Sequence, residues 1–373
     1  MFPIILLELF MGGGGRNIVF GPLSLRMYLF FFIMPFAFLA FLGRKKVDKF
    51  IIELPLLFTV LVLLAVGIGF FNQANPYLIF LDIKPLMYFY IIFFFYVVIT
   101  KIRHIELVLK LLKFSAVAMA LAYLAVFAAI NLRLVDFLSL YRTMSQPEEF
   151  FFRGQIAFFY KGFLYLGIGF IVFFNEKKAW SKILALLIFI SLLLTFTRGF
   201  IVALLLTYSA YYILTKVESS KTILVVGFSG ILLASVLVYF SLQKIGPKEL
   251  SSYFRVAQTE QVIREIDTYS IIWGHGFGKG VPVRPVHMEI SYLEIFHKQG
   301  VIGLFFYAFL FILMLDLYNR AVRKDNGYLA KPFFLSSIFV FAQSVTNPYV
   351  NNPIGMSMVL LSLISLNVLA KDD

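Results

Sequence analysis

The chain has 373 residues, 61% of them hydrophobic and 14% charged, with a formal net charge of +13 and a mean hydropathy of +0.90. Soluble domains average about 25% charged residues, so this composition excludes an ordinary water-soluble globule. The absence of cysteine removes disulfides and thiol chemistry, and the basic residues fall in joints between apolar blocks, which argues against nucleic acid as a partner.

Apolar runs near the roughly 20 residues needed to cross a hydrocarbon core recur along the whole length. In chain order they predict spans near 2–20, 25–42, 51–71, 84–100, 107–130, 155–175, 180–196, 199–215, 222–242, 301–318, 331–347 and 354–370. Gly12–Gly15 and Arg16 interrupt the first span. Its start has neither a basic leader nor a small-residue cleavage site, so it reads as retained chain rather than a signal peptide. The ten-residue alternation of a membrane barrel is missing. The expected fold is an all-α polytopic membrane protein of about twelve transmembrane helices. Residues 1–242 carry helices one to nine, 243–300 form a larger loop with partly helical segments, and 301–373 carry helices ten to twelve.

Lysine and arginine in short loops set the orientation. With the N-terminus inside, sixteen basic residues lie in the inner joints and seven in the outer ones. Both termini are then expected in the cytoplasm and the long loop outside. The two faces also differ in kind. The inner set holds twelve lysines and four arginines, whereas the outer set, long loop included, holds nine arginines and five lysines. Arginine's planar fork grips phosphate through two parallel hydrogen bonds, which lysine cannot do. An arginine excess that works against the topology rule points to an external anionic ligand. Snorkelling to lipid headgroups is the bland alternative for any single residue.

Polar chemistry concentrates between about Leu242 and Gly300. This stretch holds Arg255, Arg264, the run WGHGFGKG at Trp273–Gly280, Arg284, His287 and SYLEIFHKQGVIG at Ser291–Gly303. Outside it, Arg198 in TFTRGF is wedged between two spans, where a charge is costly unless it reaches water or an anion. If the chain from His287 onward is helical, His287, Ser291, Glu294 and Lys298 share one narrow stripe, while Glu289 points away toward Leu293 and Phe296. Imidazole titrates near neutrality, which suits His287 to general-base work; His297 projects elsewhere and reads as structural. Arg255 and Arg264 stand about half a turn out of phase, so on one continuous helix only one of them faces the site. Gly276 and Gly278 could turn backbone N–H groups toward phosphate, but the run matches neither a P-loop nor a dinucleotide fingerprint. No metal-ligand spacing and no acidic pair for a metal-held nucleotide sugar is present, so neither metal nor cofactor is expected.

TFTRGF, the WGHGFG run with Arg255 upstream, and a histidine ahead of SYLEIFHKQGVIG resemble the bacterial O-antigen polymerase and O-antigen ligase superfamily. The motif similarity covers roughly 190–305, and the span layout agrees in hydropathy elsewhere. The resemblance implies a GT-C type glycosyltransferase of the inner membrane that takes glycan from undecaprenyl pyrophosphate on the periplasmic face. It implies an undecaprenyl pyrophosphate-linked oligosaccharide and membrane lipids as partners, and a chain-length regulator protein as an accessory. By position, His287 would activate the acceptor hydroxyl, with Arg198 and Arg255, joined by Arg264 and Arg284, on the pyrophosphate. Ser291, Glu294, Glu289, Gly276 and Gly278 would support them. The family's ligases usually set His-Asn directly before the SYLEI-like run. Here Glu289 stands two residues before Ser291, with the histidine two further upstream, which leans the reading toward a polymerase. A ligase acting on lipid A-core is the alternative, and a transporter or flippase is a third reading of another class.

Overall fold

The computed structural model describes residues 2–21, 23–145, 149–153, 157–216 and 249–371. The predicted span 222–242 lies outside the described residues, as do Lys221, Lys244 and Lys248. The elements in order are α1 (Phe2–Met11), β1 (Val19–Phe20), β2 (Leu23–Ser24), α2 (Leu25–Leu42), α3 (Lys49–Phe71) and α4 (Pro76–Leu86). After a 3-10 turn at Met87–Tyr90 come α5 (Ile91–Val98), α6 (Ile102–Asn131), α7 (Phe137–Ser145), β3 (Phe150–Arg153) and β4 (Ala157–Tyr160). A second 3-10 turn leads into α8 (Leu164–Asn175), α9 (Ala179–Leu194) and α10 (Arg198–Lys216). The last elements are α11 (Glu249–Glu265), α12 (Thr268–Trp273), α13 (Ser291–Arg323), α14 (Gly327–Gln343) and α15 (Pro353–Leu369).

Among the described residues, six helical stretches are long and apolar enough to cross a membrane: 25–42, 49–71, 76–98, 102–131, 198–215 and 291–323. Shorter apolar helices accompany them. The described residues are therefore mainly α-helical, with two small antiparallel strand pairs among them, β1–β2 and β3–β4, that the apolar pattern did not foretell. The second takes the start of the span predicted at 155–175, because phenylalanine and tyrosine fill the strands as readily as a membrane helix.

Other boundaries move for local reasons. The first predicted span is helical only to Met11, where the glycine run turns the chain back. The fourth begins at Pro76 rather than 84, since Asn75 caps it by accepting from Tyr77 N–H at 2.9 Å and proline suits the first helical position. The tenth begins at Ser291 rather than 301. Gly300 breaks it with φ 64°, and a side chain there would collide with the Ile272 carbonyl, so the short segment 291–299 is set off from the span that follows.

α15 is buried on nearly every side at the centre of the bundle, and α14 packs along it. α2 and α3 instead show Phe31, Phe32, Leu39, Leu56 and Leu63 outward, an apolar face suited to lipid. The predicted inner joints meet one another: Arg44 donates to Val97 O, and Asp48 accepts from Asn367 at 2.9 Å and Lys371 at 2.6 Å. The predicted outer joints likewise gather: Gly14 with Glu149, Asn72 with His275, and Ser291 with Asn347. The fold thus separates two ends, and the motif-bearing stretch sits at the second.

Candidate functional site

The glycine turn docks by close backbone approach. Gly276 has φ 82° and faces Gly69 of α3 with no room for a side chain on either. Its N–H groups do not point outward as a phosphate cradle. His275 N donates to His297 O, Gly276 N to Lys298 O, Phe277 N to Ala65 O and Gly278 N to Asp82 Oδ2 at 2.8 Å. The expectation that Gly276 and Gly278 lend backbone donors to phosphate is corrected accordingly: those donors are consumed in seating the turn on α3, α4 and α13.

That seating brings Asp82 of α4 against the stripe of α13. Lys298 Nζ lies 2.7 Å from both Asp82 Oδ1 and Glu294 Oε1, and also donates to Val286 O at 2.6 Å. The three charged side chains are almost wholly buried. His287 stands over them, 49% exposed, with Nδ1 3.5 Å from Glu294 Oε1 and 3.7 Å from Asp82 Oδ1. It reaches the stripe from the turn before α13, not from within the helix, which starts four residues later. Ser291 Oγ donates to Asn347 O and Asn351 Oδ1, and Asn351 Nδ2 donates to Glu294 Oε2 at 2.9 Å.

With its members ionised, the buried cluster holds two carboxylates and one ammonium, so it carries one uncompensated negative charge beneath an accessible imidazole. Uptake of a proton by His287 would bring the group to neutrality. Both carboxylates lie on the Nδ1 side of the ring, and a carboxylate beside one ring nitrogen favours the tautomer with its proton there.

Glu289 lies apart from this cluster. Arg255 Nε donates to its Oε2 at 3.1 Å, Arg284 Nη2 donates to its Oε1, and its own N–H donates to Gln258. Both carboxylate oxygens are therefore engaged, which favours His287 over Glu289 as the base. Arg255 and Arg284 come together here, each about one third exposed, with Arg284 also lying over the Phe254 ring at 4.8 Å. Arg264 is exposed on the other side of a continuous α11, as its helical phase requires. Arg198 opens α10, and the next residue, Gly199, faces Thr346 and Asn347, the segment that also receives Ser291. Arg198 and His287 thus stand at the same end of the bundle, linked through 343–351.

The sequence reading missed Asp82, Asn347 and Asn351. Asp82 had a signal, a lone acid in the apolar run YLIFLDIKPL. The asparagines sat in a turn, TNPYVNNP, that resembled ordinary loop chemistry.

No protein-family model matches the chain. Among curated proteins it is similar to an O-antigen polymerase of Shigella flexneri, with 29% identity over 372 residues, covering 95% of this chain and 90% of that protein. That likeness is carried by almost the whole chain rather than by one motif.

Proposed function

We propose that this membrane glycosyltransferase polymerises lipid-linked repeat units of a surface polysaccharide, working at the end of the bundle that carries the 249–290 stretch. The observation that carries the proposal is the juxtaposition of an accessible imidazole backed by buried carboxylates with two partly exposed arginines, Arg255 on α11 and Arg284 on the adjoining turn. In this reading His287 Nε2 takes the proton from the acceptor sugar hydroxyl. The hydroxyl oxygen attacks the anomeric carbon, the bond to the donor's pyrophosphate breaks, and the electron pair leaves on undecaprenyl pyrophosphate with inversion. Arg255, Arg284 and Arg198 meet the charge that grows on the departing phosphate. Arg264 lies far enough round α11 to serve only in steering. Glu289 holds the Arg255–Arg284 pair until the pyrophosphate competes for it.

The Lys298 ammonium lies between Asp82 and Glu294 and offsets one of their two negative charges. That supports a transfer step run by fixed protein charges. We place this end in the periplasm and both termini in the cytoplasm, because the inner short joints hold sixteen basic residues against seven in the outer short joints. A chain-length regulator is an expected accessory.

Gene deletion tests the reading. Loss should leave lipopolysaccharide capped by a single repeat unit. Lipopolysaccharide with no repeat unit at all would overturn polymerisation in favour of ligation to lipid A-core, and unchanged chain lengths would overturn both.

A further inference from the structure

Two groupings of metal-ligating side chains come together among the described residues, and they differ in one respect. In Asp82–His287–Glu294 the protein supplies its own cation, Lys298. In Glu265–His275–His297 no lysine or arginine is bonded to the group, yet ligand atoms of all three lie within 4.8 Å of one another. His297 is 1% exposed, and both of its ring nitrogens lack a hydrogen-bond partner. An imidazole always presents a donor or a lone pair at each nitrogen, and leaving such groups buried and unmatched costs about 1–3 kcal/mol each.

We propose that Glu265, His275 and His297 bind one divalent transition-metal cation of the zinc class, as a structural tie rather than a participant in transfer. His297 Nε2 is 3.7 Å from Glu265 Oε2, close to the roughly 3.4 Å between ligands of a tetrahedral zinc site. The two imidazole rings lie 4.6 Å apart. Their approach is built by the backbone: His275 N–H donates to His297 O at 2.8 Å, and the next N–H donates to Lys298 O at 3.0 Å. Two imidazoles and one carboxylate suit zinc or cobalt and not magnesium or calcium, which prefer all-oxygen sets. A water would complete the coordination.

The tie has a place in the architecture. α11 is held to the rest by a small apolar group of Val262, Val281 and Met288 and by Gln258 and Gln261. Glu265 closes α11, and the Asp267 capping box starts α12 just beyond it. A cation bridging Glu265 to the glycine turn and to α13 fixes the end of the helix that carries Arg255. The three residues are spaced too widely in sequence to look like a metal motif, and neither histidine has a part in the proposed transfer.

Cobalt titration of the full-length protein in nanodiscs, after chelator treatment, tests this without any glycan substrate. The expected result is one Co²⁺ per chain with tetrahedral visible absorption, displaced by Zn²⁺. The signal should vanish in Glu265→Gln and His275→Ala and persist in His287→Ala. Glu265 is 43% exposed, so Glu265→Gln should fold normally, and its melting checks this. Absence of the signal from the wild type, its survival in Glu265→Gln, or its loss in His287→Ala would each overturn the proposal.

Discussion

Two arginine–glutamate groupings at the same end of the molecule look alike in composition and differ in burial. In the N-terminal one, Arg26 Nε lies 2.9 Å from Glu8, with side chains 3% and 11% exposed, and Arg26 Nη1 donates to Gly13 O. Glu149, fully buried beside it, takes the N–H groups of Gly14 and Arg16. In the other, Arg255 and Arg284 share Glu289, and all three side chains remain 22–36% exposed. The first is closed and holds the glycine run in place of a longer helix. The second is open, and its arginines can exchange one anion for another. Burial, not residue type, separates an arginine that builds the fold from one that can meet a ligand.

The sharpest way to break this contrast is Arg26→Ala. It leaves Glu8 without its guanidinium partner in a buried setting and should cost about 3–5 kcal/mol, read as a large fall in melting temperature in nanodiscs. Lost activity should track lost folded protein. Arg255→Ala should do the opposite. Its exposed pair contributes at most about 1 kcal/mol to stability, while transfer should fall about 10²–10³-fold if the arginine meets the leaving phosphate. A variant with normal melting and normal chain lengthening would return Arg255 to a purely structural role. Arg198→Lys keeps the charge and loses the fork, so transfer should drop about tenfold, the worth of one charged hydrogen bond. Arg264→Ala should change neither property by more than about 0.5 kcal/mol. A strong loss of transfer there would mean that α11 presents its other face to the substrate.

The outer arginine bias was legible in the sequence, but its meaning was mixed. Arg26 is absorbed by Glu8, a pairing across a turn that no spacing rule reveals. The stripe of Ser291, Glu294 and Lys298 was legible because helical phase is local, and Glu294–Lys298 is an i,i+4 pair in the fold. His287 joined the stripe for a different reason than helical phase, since a turn delivers it. Asp82 stood out as a lone acid, but its role was hidden because its partners lie more than 190 residues away. The β3–β4 hairpin was hidden because an aromatic apolar run carries no period that distinguishes strand from membrane helix. Local periodicity wrote the helices, and tertiary docking of the glycine turn wrote the site.

The central claim is that His287 starts glycosyl transfer from above a buried carboxylate–ammonium cluster that retains one negative charge. Its most direct test is chain lengthening by purified protein in nanodiscs, supplied with lipid-linked repeat units and no ion gradient. The wild type should extend the glycan. His287→Ala, whose side chain is half exposed and whose melting should match the wild type, should be about 10²–10⁴-fold slower. Lengthening by the variant at near wild-type rate would contradict the account.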